Sequence, residues 1–387
     1  MRFFIRLIHA LAKINNSLYR YHELSIHPPL HTKKMHNLHS FRKIFDPHLA
    51  TILTARMDVS RRLTSDQDVQ DIVAYAGTVA LAGGKRVRPY LAWIMYQAFG
   101  GKKSRTVFDI LAALELFHVF CLIHDDVIDR GTSRHGVPTA HVAITTRLTT
   151  QKRHGDLEHI AEGQAILLGD LLFAWVTHLF RNLPSHTVTP PRASSLFYRM
   201  VDEVVIGQML DVDLMTRVTA TTQLVDEKMR LKTANYTFVR PMQIGAALAG
   251  APRAIDRFCE TFGTAIGLAF QIQDDLFDLT VPTAQIGKTT FSDLTNRQHT
   301  LFTQYILEHG NRDQKKQLTA LFGATLSEKD RPRIAKLFTD SGALAYGEAV
   351  MCAHFSDATN AIERTRLPEQ TKQELRTLVV AVRNRTS

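Results

Sequence analysis

Six aspartates recur in one pattern along the 387-residue chain. Asp125, Asp126 and Asp129 close an apolar run in ELFHVFCLIHDDVIDRGTSRHGVPTAH (115–141), and Asp274, Asp275 and Asp278 close another in GLAFQIQDDLFD (267–278). On a helix, the first and last carboxylates of each triplet stand one turn apart, with the middle one in the same third of the circumference. His118 lies two turns before Asp125 and points the same way. Clustered carboxylates repel one another unless a cation sits among them, and hard oxygen ligands suit Mg²⁺. One such triplet alone is also an ordinary solvated helix end. Two copies on two apolar helices predict a facing pair that clamps metal between them.

Mg²⁺ held by few carboxylates keeps waters and takes its remaining ligands from substrate phosphates, so basic residues belong nearby. The sequence supplies them. Lys85, Arg86 and Arg88 lie in GGKRVRP (83–89), Arg134 and His135 follow the first triplet, and the pair Lys232–Thr233 precedes the second. Lys288, in QIGKTTFSDL (285–294), follows it. The two glycines of GGKRVRP break a helix and let the backbone approach a ligand, although a solvated basic turn would read the same way. This inventory fits a substrate whose diphosphate is bridged by metal, with a second diphosphate held directly by cations. No Ser/His/Asp or Cys/His arrangement and no Walker loop competes.

The elements that must position these groups read as helices. Period-3.6 patterning dominates, with no β-rich run, so the fold class is all-α. Helices are expected at 45–59, 66–81 (capped by Ser65 or Asp66), 89–100 (begun by Pro89), 104–126 and 160–180. Residues 147–158 read as a polar surface loop, and Pro184, Pro190 and Pro191 mark a connection. Further helices are expected at 192–217, with Gln208 and Asp211 one turn apart, and at 222–238, 240–250 and 254–279. Four smaller amphipathic ones follow at 298–309, 313–325, 341–361 and 368–384. One domain, 45–387, follows a basic extension, 1–44, which reads as disordered, as a targeting or membrane-surface helix, or as a stretch upstream of a true start at Met35.

Composition removes several classes. The net charge is +10, but residues 1–45 hold eight Lys or Arg against the single Glu23, leaving the body close to balance, so nucleic-acid binding is not expected. Cys121, Cys259 and Cys352 are odd in number and far apart, reading as buried thiols in a reducing, cytoplasmic setting. No segment reaches about 18 unbroken apolar residues, so no membrane span is expected.

Taken in order, GGKRVRP, His118, DDVID, R-x-G-x-P-T-x-H (134–141), GDLL (169–172), GQMLD (207–211), KTA (232–234), FQIQDDLFD (270–278) and GK…DL (287–294) resemble the trans-isoprenyl diphosphate synthases, the polyprenyl synthetase family. The likeness spans about 45–380 and is strongest to short-chain bacterial geranylgeranyl diphosphate synthases of actinobacterial type. It implies the isoprenoid synthase fold, a single all-α domain with helices around a central cavity, usually dimeric. It also implies Mg²⁺-dependent head-to-tail (1′-4) condensation of isopentenyl diphosphate with an allylic diphosphate.

Carried over residue by residue, Asp125, Asp126, Asp129 and Asp274 would grip the allylic diphosphate through metal, three Mg²⁺ ions in all with substrate bound. Arg134, Lys232 and Lys288 would assist, and Asp275 and Asp278 would support the second metal site. Lys85, Arg88 and His118 would hold isopentenyl diphosphate, with Gln208 also binding substrate and Gln271 and Thr233 lining the reacting centre. Two departures matter. His135 stands where the family has a second arginine, and Gln298 where it has a lysine. Phe120, with Cys121 beside it, would floor the cavity and set a C20 or C15 product; a core aromatic is the alternative. A class I terpene cyclase also uses DDxxD and Mg²⁺ but binds one diphosphate, and a partner-dependent, non-catalytic subunit of a heteromeric synthase remains a third reading.

Overall fold

The structure, a computed structural model, describes residues 37–181, 190–281 and 291–385, all within the compact unit His36–Ser387. Among them are sixteen α-helices, one π-helix, one 3₁₀ turn and a single two-stranded hairpin. The readings made for residues 1–36, for Pro184 and for Gly287–Lys288 fall outside the described residues.

The chain enters through α1 (Leu38–Arg61), which begins seven residues before the expected start because Asn37 and Ser40 form a capping box. Next come α2 (Gln67–Leu81), capped by Asp66 through the Val69 amide, and α3 (Val87–Ala98). The central element is α4 (Arg105–Ile128). Its faces from Val107 to Val119 are buried almost all round, which is why its pattern reads as continuously apolar. Phe41, Phe45, Tyr90, Trp93 and Phe108 pack the core between α1, α3 and α4, with Trp93 and Phe108 edge to face at 5.4 Å. Each such ring contributes about 2–3 kcal/mol by leaving water.

Beyond α4 stand the hairpin β1 (Ser133–Arg134) and β2 (Val137–Pro138), then α5 (Ala140–Thr150) and α6 (Leu157–Arg181), which packs along α4. The surface loop expected at 147–158 is therefore shorter: its first four residues complete α5, where Arg147 pairs with Asp68. Helix α7 (Pro190–Thr216) leads to α8 (Thr222–Met229), the π-helix π1 (Arg230–Val239) and α9 (Arg240–Leu248). A regular helix was expected at 222–238, and the wide π turn is a correction. Helix α10 (Ile255–Thr280) packs on π1.

The C-terminal part holds α11 (Ser292–Thr295), α12 (Leu301–His309), α13 (Arg312–Leu321), α14 (Arg331–Asp340), α15 (Ala343–Arg364) and α16 (Glu369–Arg383). Helix α14 was not expected; its interrupted RPRIAKLFTD pattern is short but buries Ile334, Leu337 and Phe338. Cys352 is also a correction. Met351 and Phe355 turn toward the core, whereas Cys352 lies on the exposed side of α15; Cys259 is buried and Cys121 half-buried, all three as free thiols. Helices α4 and α6 are long and apolar enough to cross a membrane by length and composition, and α4 is the core helix of the fold.

Candidate active site

The first acidic wall is the C-terminal turn of α4. Asp129 caps that helix, its amide donating to the Asp125 carbonyl at 2.8 Å. The chain then doubles back through the hairpin, where His135 and Gly136 both take positive φ (51° and 80°), the signature of a tight I′ turn. That turn returns Arg134 to the helix end, where Nε and Nη2 both donate to Asp126 Oδ1 at 2.8 and 2.5 Å, with Asp125 at 3.7 Å. Burial pushes the Asp126 carboxyl up against the pull of Arg134. Burial and the Asp125 charge push Asp129 up to about 6.

The second wall is the C-terminal turn of α10. Asp275 is buried, accepts from Gln271 Nε2 at 2.7 Å, and is pushed up to about 7 by burial, despite Lys228 and Gln271 and with help from Asp274 and Asp278. Asp278 accepts the Ser292 amide and hydroxyl (3.0 and 2.8 Å) and the Asp293 amide (3.1 Å), so it holds the start of α11. Burial and its acidic neighbours Asp278 and Asp275 raise the Asp293 carboxyl well above the usual range. Asp274 pairs with Arg385 at 2.8 Å.

Between the walls runs π1. Lys232 Nζ sits 3.3 Å from Asp125 on the first wall and 2.6 Å from Asp211 Oδ2 on α7. Lys228 reaches the other Asp211 oxygen at 3.1 Å and acts electrostatically on Asp275 and Asp293. Burial would raise Asp211, but its two lysines hold it below the ordinary carboxylate range, and Lys232 is raised in return by Asp125 and Asp211 against its own burial. Thr233, next along π1, donates to Gln271 Oε1 at 2.6 Å, which continues to Asp275. The six aspartates therefore border one region rather than opposite faces of the molecule. Glycines permit this approach: a Cβ at Gly207 would lie 2.7 Å from the Lys232 amide, and one at Gly267 would collide with Ala234. Widened turns of the π type cluster at functional sites. Here the turn directs Lys232 and Thr233 to the two walls and, one turn on, Tyr236 and Thr237 to the cation loop.

The three basic residues of GGKRVRP separate by role. Arg86 was expected to present its charge and instead turns inward at φ 52°, bonding Asp46 (2.9 Å), Glu115 (2.6 Å) and the Ala80 carbonyl (3.0 Å); it anchors the loop. Lys85 stays exposed, its amine lowered by partial burial and by Arg385, with Asp274 pulling the other way. Arg88 stacks on Tyr236 (4.1 Å) and donates to Thr237 at 2.7 Å, leaving Nε buried without a hydrogen-bond partner. His118 Nδ1 lies 2.7 Å from the Tyr236 hydroxyl, and burial among Arg88 and Arg134 lowers it well below the ordinary range, so it is neutral. Gln208 keeps Nε2 buried and unpartnered. Gln298 is buried, its amide bonded to the Asp293 carbonyl at 2.7 Å.

Below the first wall, the otherwise buried α4 becomes half-buried at His118, Phe120, Cys121 and Leu122. Phe120 stacks on Phe117 (5.5 Å), meets Phe173 of α6 (5.2 Å) and touches His124 (4.6 Å). Burial pushes the Cys121 thiol up to about 12, so it is neutral.

Sequence reasoning missed Lys228, Tyr236, Phe173, Asp293 and Arg385. Only Tyr236, one turn beyond Thr233, and Asp293, in the GK…DL run, had a local signal; the rest arrive from distant segments. Among the described residues, no three or more His, Cys, Asp or Glu side chains converge closely enough to hold a metal by themselves. The donors nevertheless fit a hard divalent ion that draws further ligands from a diphosphate. Asp129 Oδ1 is buried with no hydrogen-bond partner, and two raised carboxyls face like charges.

Residues 70–339 match the polyprenyl synthetase family model. The chain is 32% identical over 290 residues, covering 74% of itself and 82% of the relative, to a geranylgeranyl diphosphate synthase of Sulfolobus acidocaldarius. It is 30% identical to one of Methanosarcina mazei, over 75% of this chain and 83% of that one. In structure it resembles a geranylgeranyl pyrophosphate synthase of Corynebacterium glutamicum complexed with isoprenyl diphosphate and magnesium (TM-score 0.82, 28% identity, covering 88% of this chain and 98% of that one). With Lys232 at the first aspartate triplet, its neighbour Thr233 linked through Gln271 to the second, and its family model matched over most of its length, the chain belongs to the polyprenyl synthetase family of trans-isoprenyl diphosphate synthases.

Proposed function

We propose that the chain condenses isopentenyl diphosphate head to tail with an allylic diphosphate, giving a short trans-prenyl diphosphate, C20 first and C15 second. The observation that carries this reading is the contact of Lys232 with Asp125 on the first wall while its neighbour Thr233 reaches Gln271 beside Asp275 on the second. A diphosphate placed there meets acidic side chains through metal and cationic ones directly.

Asp125, Asp126, Asp129 and Asp274 would hold Mg²⁺, three ions with substrate bound, backed by Asp275 and Asp278. When bound, these ions neutralise charge that develops on the departing pyrophosphate. Arg134 and Lys232, pre-aligned by Asp126 and Asp211, grip the allylic diphosphate and need little reorganisation as its C–O bond breaks. Lys288 belongs with them by its position in the sequence. Lys85 and Arg88 hold isopentenyl diphosphate; neutral His118 contributes hydrogen bonding and not charge. Gln208, with its free Nε2, and the Thr233–Gln271 pair line the reacting centre. The aromatic wall of Phe117, Phe120 and Phe173 keeps water from an allylic cation, and Phe120 with Cys121 limits the tail. The retained pyrophosphate is a sufficient proton acceptor, so the condensation needs no dedicated protein base.

A homodimer is supported by apolar side chains left exposed on two helices: Leu167 of α6 is 67% exposed, with Ile166 also exposed, and Met209 of α7 is 62% exposed, with Val205, Ile206 and Val212 of the same helix also exposed. The free thiols support a cytoplasmic setting. The purified chain alone, given isopentenyl diphosphate and either geranyl or farnesyl diphosphate with Mg²⁺, should yield a longer prenyl diphosphate from at least one of them on chromatography. Hydrocarbon formed from one allylic substrate would replace this reading with a cyclase, and silence until a second protein is added would replace it with a subunit.

A further inference from the structure

One buried cation has no part in the reaction as described. Lys228, the penultimate residue of α8, keeps 11% of its side chain exposed, too little to meet a substrate. Its ammonium donates to the His299 carbonyl at 2.8 Å and lies 3.1 Å from Asp211 Oδ1. Asp211 is itself buried and gives its other oxygen to Lys232 at 2.6 Å, so one carboxylate serves two ammoniums. Burying an ammonium is costly even when it is paired, so its presence here asks for a reason beyond packing.

The charges supply one. Asp211 alone would cancel Lys232, leaving a neutral pair at the mouth of the site. Lys228 cancels Asp211 from behind, and the trio keeps a net +1 that is expressed through Lys232, the member within 3.3 Å of Asp125. In a partly dehydrated site, that difference acts strongly on a multiply charged anion. We propose that Lys228 is a positioning residue for the allylic diphosphate. By neutralising and fixing Asp211, it leaves the Lys232 ammonium both aimed and electrostatically available to the substrate. This rests on the synthase reading above.

The full-length chain and three variants, Lys228→Met, Asp211→Asn and Lys228→Met/Asp211→Asn, can be titrated calorimetrically with farnesyl diphosphate in Mg²⁺ without isopentenyl diphosphate, and then assayed at steady state. Lys228→Met should weaken farnesyl diphosphate binding at least tenfold and raise its KM to match, with the KM for isopentenyl diphosphate changing less than twofold. The double variant, in which Lys232 regains its free charge though not the carboxylate that aims it, should bind farnesyl diphosphate at least threefold more tightly than Lys228→Met. A merely structural pair would instead lower the melting temperature and move the KM values for both substrates together. Wild-type binding by Lys228→Met, or a double variant as weak as the single, would overturn the inference. If Lys228→Met does not fold, Asp211→Asn and the double variant decide, and tenfold weaker binding by both overturns it. A wild-type chain that binds no farnesyl diphosphate sinks the synthase reading and this inference together.

Discussion

Mg²⁺ should bind this chain with a steep pH dependence, and the size of the effect follows from two carboxyls. Asp129 is raised to about 6 and Asp275 to about 7, chiefly by burial and then by their acidic neighbours. A metal entering the acidic walls favours both groups ionised, so below those values it must expel protons. At about pH 5.5 the competition costs a factor of about 30 at Asp275 and about 4 at Asp129, and at about pH 8 almost nothing. Apparent affinity should therefore fall about a hundredfold from about pH 8 to about pH 5.5, equivalent to about 3 kcal/mol. In the metal-free fold the same groups act in the opposite sense. Their folded-state values lie above the unfolded ones, so the stability they contribute is complete near the ordinary carboxylate range and is lost as pH rises through about 6 and about 7. Thermal unfolding against Mg²⁺ concentration, without substrate, reads both effects. The stabilisation by saturating Mg²⁺ should be largest at about pH 8. A half-saturating Mg²⁺ concentration that stays constant across this range would refute the reasoning.

Asp125→Ala should lower turnover by about 10²- to 10⁴-fold while leaving the melting temperature within a few degrees, because the residue is half-buried and its loss removes no core contact. Normal turnover would remove Asp125 from the site. Phe120→Ala should lengthen the product, and Phe120→Ala/Phe173→Ala should lengthen it further, since each ring is left facing the other's vacancy; unchanged chromatograms would discard both as the floor. Arg86→Met strands Glu115, 2% exposed, and should cost about 3–5 kcal/mol in a denaturant titration. A loss under about 1 kcal/mol would mean the loop is anchored elsewhere. Leu167→Asp/Met209→Asp should convert a dimer to monomer by light scattering, and a dimer that survives must use another face.

What the chain decided locally, it displayed locally. An apolar 3.6-residue period that ends in DDVID or DDLFD places carboxylates at the tip of a buried helix in any all-α fold. GGKRVRP likewise announces a cationic turn. Those features needed no knowledge of neighbours, and with Lys232 and Thr233 they are most of the candidate site. Local pattern could not say which of three adjacent cations turns inward. Arg86 does so only because Glu115 and Asp46, from α4 and α1, wait for it. Nor does a 3.6 period reveal that Arg230–Val239 winds as a π-helix, since the segment still buries an apolar face. Cys352 was misjudged for a related reason, because one helical step separates the core side of α15 from solvent. The charge ladder Asp125–Lys232–Asp211–Lys228 and the docking of Arg385 on Asp274 belong wholly to the tertiary structure. Ion pairs between segments far apart in sequence leave no periodicity behind. Their energy comes from shared burial, and burial exists only once the helices have met.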